Sequence, residues 1–160
     1  MNEFLGKLSA YNIFNYLLTG VLFVAVSEIF TPYSFAQNDP LFAPFVYYFI
    51  GLVLSRLGSL VIEPILKFVK FVKFEEYSNY VRASRVDPLI ETLSEANNMY
   101  RTFIALFVAL TCLKLYAFTS QYYPLLLNNK IHLLLALLLI MFIFAYKKQT
   151  TYISKRILTK

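Results

Sequence analysis

The chain is poor in the residues that most enzymes use. It has one cysteine, one histidine, four glycines and no tryptophan among 160 residues. A single cysteine excludes a disulfide framework, and a single histidine excludes acid-base or metal chemistry that needs a histidine pair. Four glycines leave little room for phosphate-binding loops, and the nucleophile-elbow, zinc-protease and paired-cysteine motifs do not occur. We therefore expect no enzymatic activity, no metal site and no cofactor.

Charge is also scarce, because only 15% of the residues are charged whereas 59% are apolar and 18% are aromatic. So few charged groups do not cover this much apolar surface in water on a chain of this length. The same hydrophobicity excludes a long disordered chain. The composition therefore indicates an integral membrane protein.

Four apolar runs are long enough to cross about 30 Å of hydrocarbon as helices that rise about 1.5 Å per residue. These four predicted spans are residues 11–30, 41–65, 102–120 and 131–147, with approximate bounds. A run such as 133–144 lacks the period of two that a membrane strand shows. The sequence thus predicts an all-α membrane protein with four transmembrane helices. We expect span 4 to be extended by Tyr146, Lys147 and Lys148, which would place an aromatic ring and two amines at the headgroups.

Basic residues are distributed unevenly among the segments outside these spans. Twelve lie before span 1, between spans 2 and 3, or after span 4, whereas the two other connections contain only Lys130. Under the positive-inside rule, both termini and the segment between spans 2 and 3 are cytoplasmic. The net charge of +6 follows from this rule and from anionic headgroups as partners, and it is weak evidence for nucleic acid. The polar Asn12 and Asn15 make span 1 a poor signal-peptide core, so we expect it to be retained.

Residues 67–101 form the one sizeable segment expected in water. Lysine and phenylalanine each repeat every three residues over 67–74, which predicts that span 2 continues as an interfacial helix. Asp87 and Pro88 are a helix-start signal, and the helix that they begin is expected to run unbroken into span 3. The two helices would form a cytoplasmic helical hairpin. The second helix is expected to pack on the first through Leu89 or Ile90, Leu93, Ala96 and Tyr100.

Charges inside a bilayer are costly, by about 2.5 to 3.5 kcal/mol on insertion scales, and they mark candidate functional positions. On span 2, Arg56, Ser59 and Glu63 lie on nearly one face, and a polar stripe on span 1 is expected to hydrogen-bond with it. The candidates for lining a pore are Asn12, Asn15, Thr19, Arg56, Ser59 and Glu63. An equally open alternative is that Arg56 is held structurally by helix-end carbonyls or an acidic neighbour.

Two further charges, Glu28 on span 1 and Lys114 on span 3, lie at similar depths if both helices are upright. We expect them to form a structural ion pair. The lone His132 has no ligand set around it. Span 4 otherwise has little polar content, so we expect it to face lipid.

Four helices form a packed bundle with a filled centre, so one copy can hardly enclose a water-filled path. Several copies around an axis would bring Arg56 into a ring that favours anions. The hairpins would then surround the entrance, with Glu91, Glu95 and Asn98 as candidates for a gate or a partner-binding site. The competing interpretation is a non-conducting membrane anchor or scaffold that recruits a soluble partner through the hairpin. A small carrier is a third class.

Residues 8–15 (LSAYNIFN), the four spans and the helical stretch 91–98 (ETLSEANN) together resemble small membrane effectors of bacterial anti-phage defence. The membrane component of the Hailong system is the nearest of these families. The resemblance covers the layout of the whole chain and includes no diagnostic motif, so no pore residue is carried over. It implies a homo-tetrameric ion channel of the bacterial inner membrane. It also implies that the product of a nucleotidyltransferase-like partner, an oligonucleotide, holds the channel shut until infection.

Overall fold

The computed structural model describes the backbone of residues 2–158 and, within residues 10–158, all side chains except that of Pro124. Every regular element of this part of the chain is helical, and it contains no strand. We name the helices α1 (Asn2–Phe30), α2 (Ala43–Phe68), α3 (Tyr77–Val86), α4 (Leu89–Ser120), α5 (Pro124–Asn128) and α6 (Lys130–Leu158).

Four of these helices are long and apolar enough to span a membrane, which confirms the predicted all-helical architecture. They are α2, α4, α6 and the stretch Ala10–Phe30 of α1. α4 and α6 are longer than the apolar runs that predicted them, because polar helical turns precede span 3 and follow span 4. The chain therefore passes along the bundle four times. Insertion into a bilayer stays a prediction. The cytoplasmic placement of both termini and of the segment between spans 2 and 3 also stays a prediction.

The core lies between α1, α2 and α4. Phe23 of α1, Leu54 of α2, and Leu106 and Leu110 of α4 form one buried cluster. α6 packs on the outside of α2, where the rings of Phe49 and Phe142 stack with centroids 6.2 Å apart. No residue of α6, all of which the structure describes, is buried. This exposure is consistent with the expectation that span 4 faces lipid.

α1 and α2 approach each other so closely that two glycines are required. A Cβ atom on Gly20 would lie 1.8 Å from the carbonyl oxygen of Tyr47, and one on Gly51 would lie 1.8 Å from that of Tyr16. Each helix thus presents a glycine where the backbone of the other passes. Small residues that permit such contact are typical of helix pairs in lipid.

α2 changes its geometry near its end, where Gly58–Ile62 forms a π-helical turn. In this turn the amide of Glu63 donates to the carbonyl of Gly58. The next residue, Pro64, has no N–H and clashes with a carbonyl of the preceding turn, so it favours such a widened turn. As a result, the carbonyl of Ser59 receives a backbone hydrogen bond from neither Glu63 nor Pro64.

The prediction that α2 continues as a helix through residue 74 is wrong. α2 ends at Phe68, and Lys70 adopts a left-handed conformation with φ of 57°. The amide of Phe71 donates to the carbonyl of Leu66, and that of Lys70 donates to Lys67, which together form a Schellman motif. A local helix-ending motif thus overrides the three-residue repeat.

The helix-start signal at Asp87 and Pro88 gives the predicted result. The amide of Leu89 donates to the Asp87 carboxylate at 2.9 Å, and α4 then runs unbroken to Ser120. The predicted packing surface is covered only in part, however. Leu89, Leu93 and Tyr100 are exposed, whereas Ile90 and Ala96 are half-buried. The preceding helix is the short α3 rather than a continuation of α2, and it covers less of α4.

Candidate functional site

A cluster of four charged side chains is centred on Glu63, and we call it the Glu63 cluster. Glu63 is only 6% exposed, and three basic side chains from three helices bind it. Arg101 Nη1 of α4 lies 2.5 Å from Oε2, Lys67 Nζ lies 2.9 Å from Oε1, and Lys148 Nζ of α6 lies 3.5 Å from Oε1. One carboxylate thus faces three cations, so the cluster carries excess positive charge.

Lys148 joins α6 to α2 by more than its charge. Its ammonium donates to the carbonyl oxygen of Ser59 at 2.6 Å and to the Ser59 hydroxyl at 2.8 Å. That carbonyl is the one that the π-helical turn and Pro64 leave without a backbone donor. The expectation that Lys148 reaches out to the headgroups is therefore wrong, because an unpaired carbonyl and a carboxylate draw its ammonium inward.

Arg56 lies one helical turn before Ser59, in a narrow crevice between α2 and α6. The crevice is lined by Arg56, Ser59, Leu60, Ala145, Lys148, Gln149 and Tyr152. Arg56 is half-buried, and within residues 10–158 no carboxylate lies at salt-bridge distance from it. Among these described residues its guanidinium is therefore a cation without a direct counter-charge, next to a second cation at Lys148.

The polar stripe of span 1 does not meet the charges of span 2. Thr19 is fully buried and donates to the carbonyl of Asn15 in its own helix at 2.7 Å. Asn15 is 2% exposed, and its side-chain oxygen has no hydrogen-bond partner. Both residues are thus enclosed within one protomer, which removes them from a path between copies. Asn12 is half-buried and stays a candidate.

The hydrogen bonds predicted between the polar stripes of spans 1 and 2 are replaced by contacts with other helices. The partners of Glu63 and Ser59 lie on α2, α4 and α6 rather than on α1. α1 instead packs on α2 through the backbone contacts at Gly20 and Gly51. Glu63 is consequently a carboxylate bound within the protomer, not a side chain that faces an open path.

Glu28 and Lys114 make other contacts than the predicted ion pair. The Glu28 carboxylate accepts a hydrogen bond from Ser34 at 2.8 Å, and Lys114 Nζ lies 4.1 Å from the ring centroid of Phe30. Both charged residues are exposed. Glu28 thus binds a serine of the loop that follows α1, and Lys114 lies against an aromatic ring at the end of α1, so the two charges do not pair with each other.

The three gate candidates lie on the first turns of α4. Glu91, Glu95 and Asn98 are all half-buried. The hydroxyl of Tyr11 donates to the backbone carbonyl of Glu95 and so links the start of span 1 to this helix. A partner that binds these residues would therefore contact a segment coupled directly to α1.

Sequence reasoning missed Arg101, Lys67 and Lys148 as partners of Glu63. Lys67 was detectable, because a glutamate and a lysine four residues apart meet on a helix. Arg101 and Lys148 carried a weaker signal. Both lie at span ends on the same predicted side as Glu63, but only the packing of α4 and α6 on α2 brings them to one carboxylate.

The Glu63 cluster can hold helices together electrostatically and attract anions. No group of three histidine, cysteine, aspartate or glutamate side chains suited to a metal occurs in the described part of the chain. Comparison with known proteins found no matching family model, no similar curated protein and no similar solved structure.

Proposed function

We propose that this chain forms an oligomeric, anion-conducting channel in a membrane. The observation that carries the proposal is Arg56, a half-buried residue on an apolar helix, whose guanidinium has no acidic partner among residues 10–158. A charge at such a position needs water or a counter-ion. A water-filled path that admits anions would supply both.

The burial of Asn15 and Thr19 moves the proposed path away from the contact between α1 and α2. It would instead follow the crevice between α2 and α6, where Arg56 and Lys148 lie together. Copies that turn this crevice toward a common axis would form rings of like charge, which favour anions. We propose a tetramer, as the resemblance to Hailong-type effectors implies.

The same resemblance supports a role as a defence effector of the bacterial inner membrane. A soluble nucleotidyltransferase-like partner, or its oligonucleotide product, would hold the channel shut from the cytoplasmic side. Glu91, Glu95 and Asn98 stay the candidates for that contact. The hydrogen bond from Tyr11 to the Glu95 carbonyl supports the idea that binding there reaches span 1.

Planar-bilayer recording of the purified full-length chain tests the proposal. We expect unitary currents whose reversal potential in a KCl gradient lies toward that of chloride. Arg56→Gln should shift the reversal potential away from chloride, and Arg56→Lys should retain the preference. Lys130→Gln, at the opposite end of the bundle, is the matched control and should leave selectivity unchanged.

Two results would contradict the proposal, the first by removing conduction and the second by removing Arg56 from the path. One is a monomer in mild detergent that gives no current in bilayers of several lipid compositions. The other is a current whose selectivity is the same in Arg56→Gln as in the unaltered chain, since this would place the conducting path elsewhere.

A non-conducting anchor is the second candidate, and the exposure of Leu89 and Leu93 favours it. These two leucines are 58% and 60% exposed at the start of α4, on the predicted aqueous side. Exposed apolar side chains that share a helix end are suited to a soluble partner. An anchor predicts that liposomes containing the chain stay impermeable. It also predicts that Leu89→Ser with Leu93→Ser abolishes partner association without altering stability.

A further inference from the structure

The crevice between α2 and α6 that contains Arg56 has room for one small particle. Its volume is about 20 Å³, and a cavity of this size holds about one particle as large as a water molecule. A nucleotide, a lipid headgroup or an inorganic phosphate is much larger than this volume. The crevice is therefore suited to a water molecule or to a monatomic ion.

The charge around the crevice favours an anion over a cation. Arg56 lies on its wall, and among residues 10–158 no carboxylate or other acceptor binds the guanidinium. Lys148 also lines the crevice, but its ammonium is already held by Ser59 and Glu63. Glu63 does not line the crevice, and three cations bind it. An ion that enters would thus meet the guanidinium directly, and only an anion gains from that contact.

Two uncharged side chains beside Arg56 provide further hydrogen-bond donors. The Ser59 hydroxyl accepts a hydrogen bond from Lys148 at 2.8 Å and donates to no described residue, so its own hydrogen is available to a ligand. The side-chain amide of Gln149 also lines the crevice, and it has no hydrogen-bond partner in the described part of the chain. Guanidinium, hydroxyl and amide groups together would replace part of the water shell of an anion.

We propose that this crevice binds one monatomic anion, such as chloride, in each protomer. Arg56 would supply the charge, and Ser59 and Gln149 would donate hydrogen bonds. Lys148 would be a positioning residue, because its bond to Ser59 orients the hydroxyl. The inference rests on the proposed function, since the site lies on the proposed anion path and names the class of ion that the path admits. Binding to one protomer can nevertheless be measured without any current.

Equilibrium dialysis of the full-length chain in detergent, with radioactive chloride and with gluconate as the balancing anion, tests the site. We expect saturable binding of one chloride per protomer. Unlabelled bromide should displace the label, whereas sulfate and phosphate should not at equal ionic strength. Arg56→Gln should weaken chloride binding about tenfold or more, because a hydrogen bond from a charged group is lost. Lys114→Gln removes an exposed cation from another span, and this charge-matched control should bind chloride like the unaltered chain.

Ala145→Leu tests the place of binding without changing any charge. Ala145 lines the crevice, and a leucine there would fill the volume that the ion needs. We expect this variant to lose saturable chloride binding. The melting temperature in gluconate shows whether each variant is folded. Because Arg56→Gln removes charge and Ala145→Leu removes space, either folded variant is sufficient for the test.

The proposal is overturned if the unaltered chain binds no chloride saturably, or if sulfate displaces chloride as well as bromide does. It is also overturned if folded Arg56→Gln or folded Ala145→Leu binds chloride like the unaltered chain. An anion current without saturable chloride binding would overturn this site and leave the proposed function standing. Bound chloride without any current would contradict the channel and leave the site standing.

Discussion

Lys148 donates a hydrogen bond of 2.6 Å to the backbone carbonyl of Ser59, across the interface between α6 and α2. The bond exists because the π-helical turn directs the Glu63 amide to Gly58, and the next residue, Pro64, has no amide hydrogen. A backbone irregularity in one span thus determines where a side chain of another span binds.

Removing the ammonium of Lys148 should destabilise the protein. Lys148→Met keeps the aliphatic stem but leaves the Ser59 carbonyl and one Glu63 oxygen with fewer donors. A buried polar group left unsatisfied costs about 1 to 3 kcal/mol. The free energy of unfolding in mixed detergent measures this loss. Lys147→Met is the matched control because its side chain is exposed. Equal losses in both variants would contradict the importance of the bond.

Glu63→Gln should destabilise the protein more than any single loss among its cations. Glutamine is uncharged, so this variant leaves Arg101 and Lys148 without their counter-charge. The loss is costly because the Glu63 side chain is only 7% exposed. Breaking a buried pair from one side typically costs about 3 to 5 kcal/mol. Lys67→Gln should cost at most about 1 kcal/mol, because the Lys67 side chain is 42% exposed.

The melting temperatures of Glu63→Gln and Lys67→Gln in detergent show which variant loses more stability. Glu28→Gln is the control for loss of one carboxylate at an exposed position. If Glu63→Gln unfolded like Glu28→Gln, Glu63 would not bind its three cations strongly.

Gly20→Ala and Gly51→Ala should each force α1 and α2 apart. The added methyl would lie 1.8 Å from a backbone oxygen that does not move independently of its helix. Overpacking of this kind costs about 1 to 3 kcal/mol or more. The melting temperature should fall in both variants but hardly change in Ala25→Leu, which adds bulk to an exposed position of α1. Unchanged melting of the glycine variants would disprove the close approach.

Lys70→Gly should stabilise the protein, which is unusual for a glycine substitution. Lys70 holds φ of 57° at the end of α2, and glycine adopts this conformation without the steric penalty of a Cβ atom. We expect a gain of about 1 kcal/mol in the free energy of unfolding. Lys73→Gly removes the same charge from the same segment and should give no gain. A loss in Lys70→Gly would show that the Schellman motif does not form.

Prediction from the sequence was successful where a single helix supplies the information. The apolar runs predicted all four long helices, and the Asp87 carboxylate begins α4 as its position before Pro88 indicates. It was wrong where a local motif competed with a periodic pattern, as at Lys70. It was also wrong where partners come from distant helices. Arg101 and Glu63 are 38 residues apart, and no spacing rule links them.

The sequence by itself determined that the chain is helical, that four helices are apolar enough to span a membrane, and that charge is confined to a few segments. These properties follow from composition and from runs of neighbouring residues. Only the tertiary structure decided that Glu63 is bound by Arg101 and Lys148 and that Asn15 and Thr19 are enclosed. It also decided that Arg56 meets no counter-charge within the part of the chain whose side chains are described. Those properties depend on the rotation and offset of one helix against another. Two features determine this geometry, namely the close packing at Gly20 and Gly51 and the π-helical turn before Pro64.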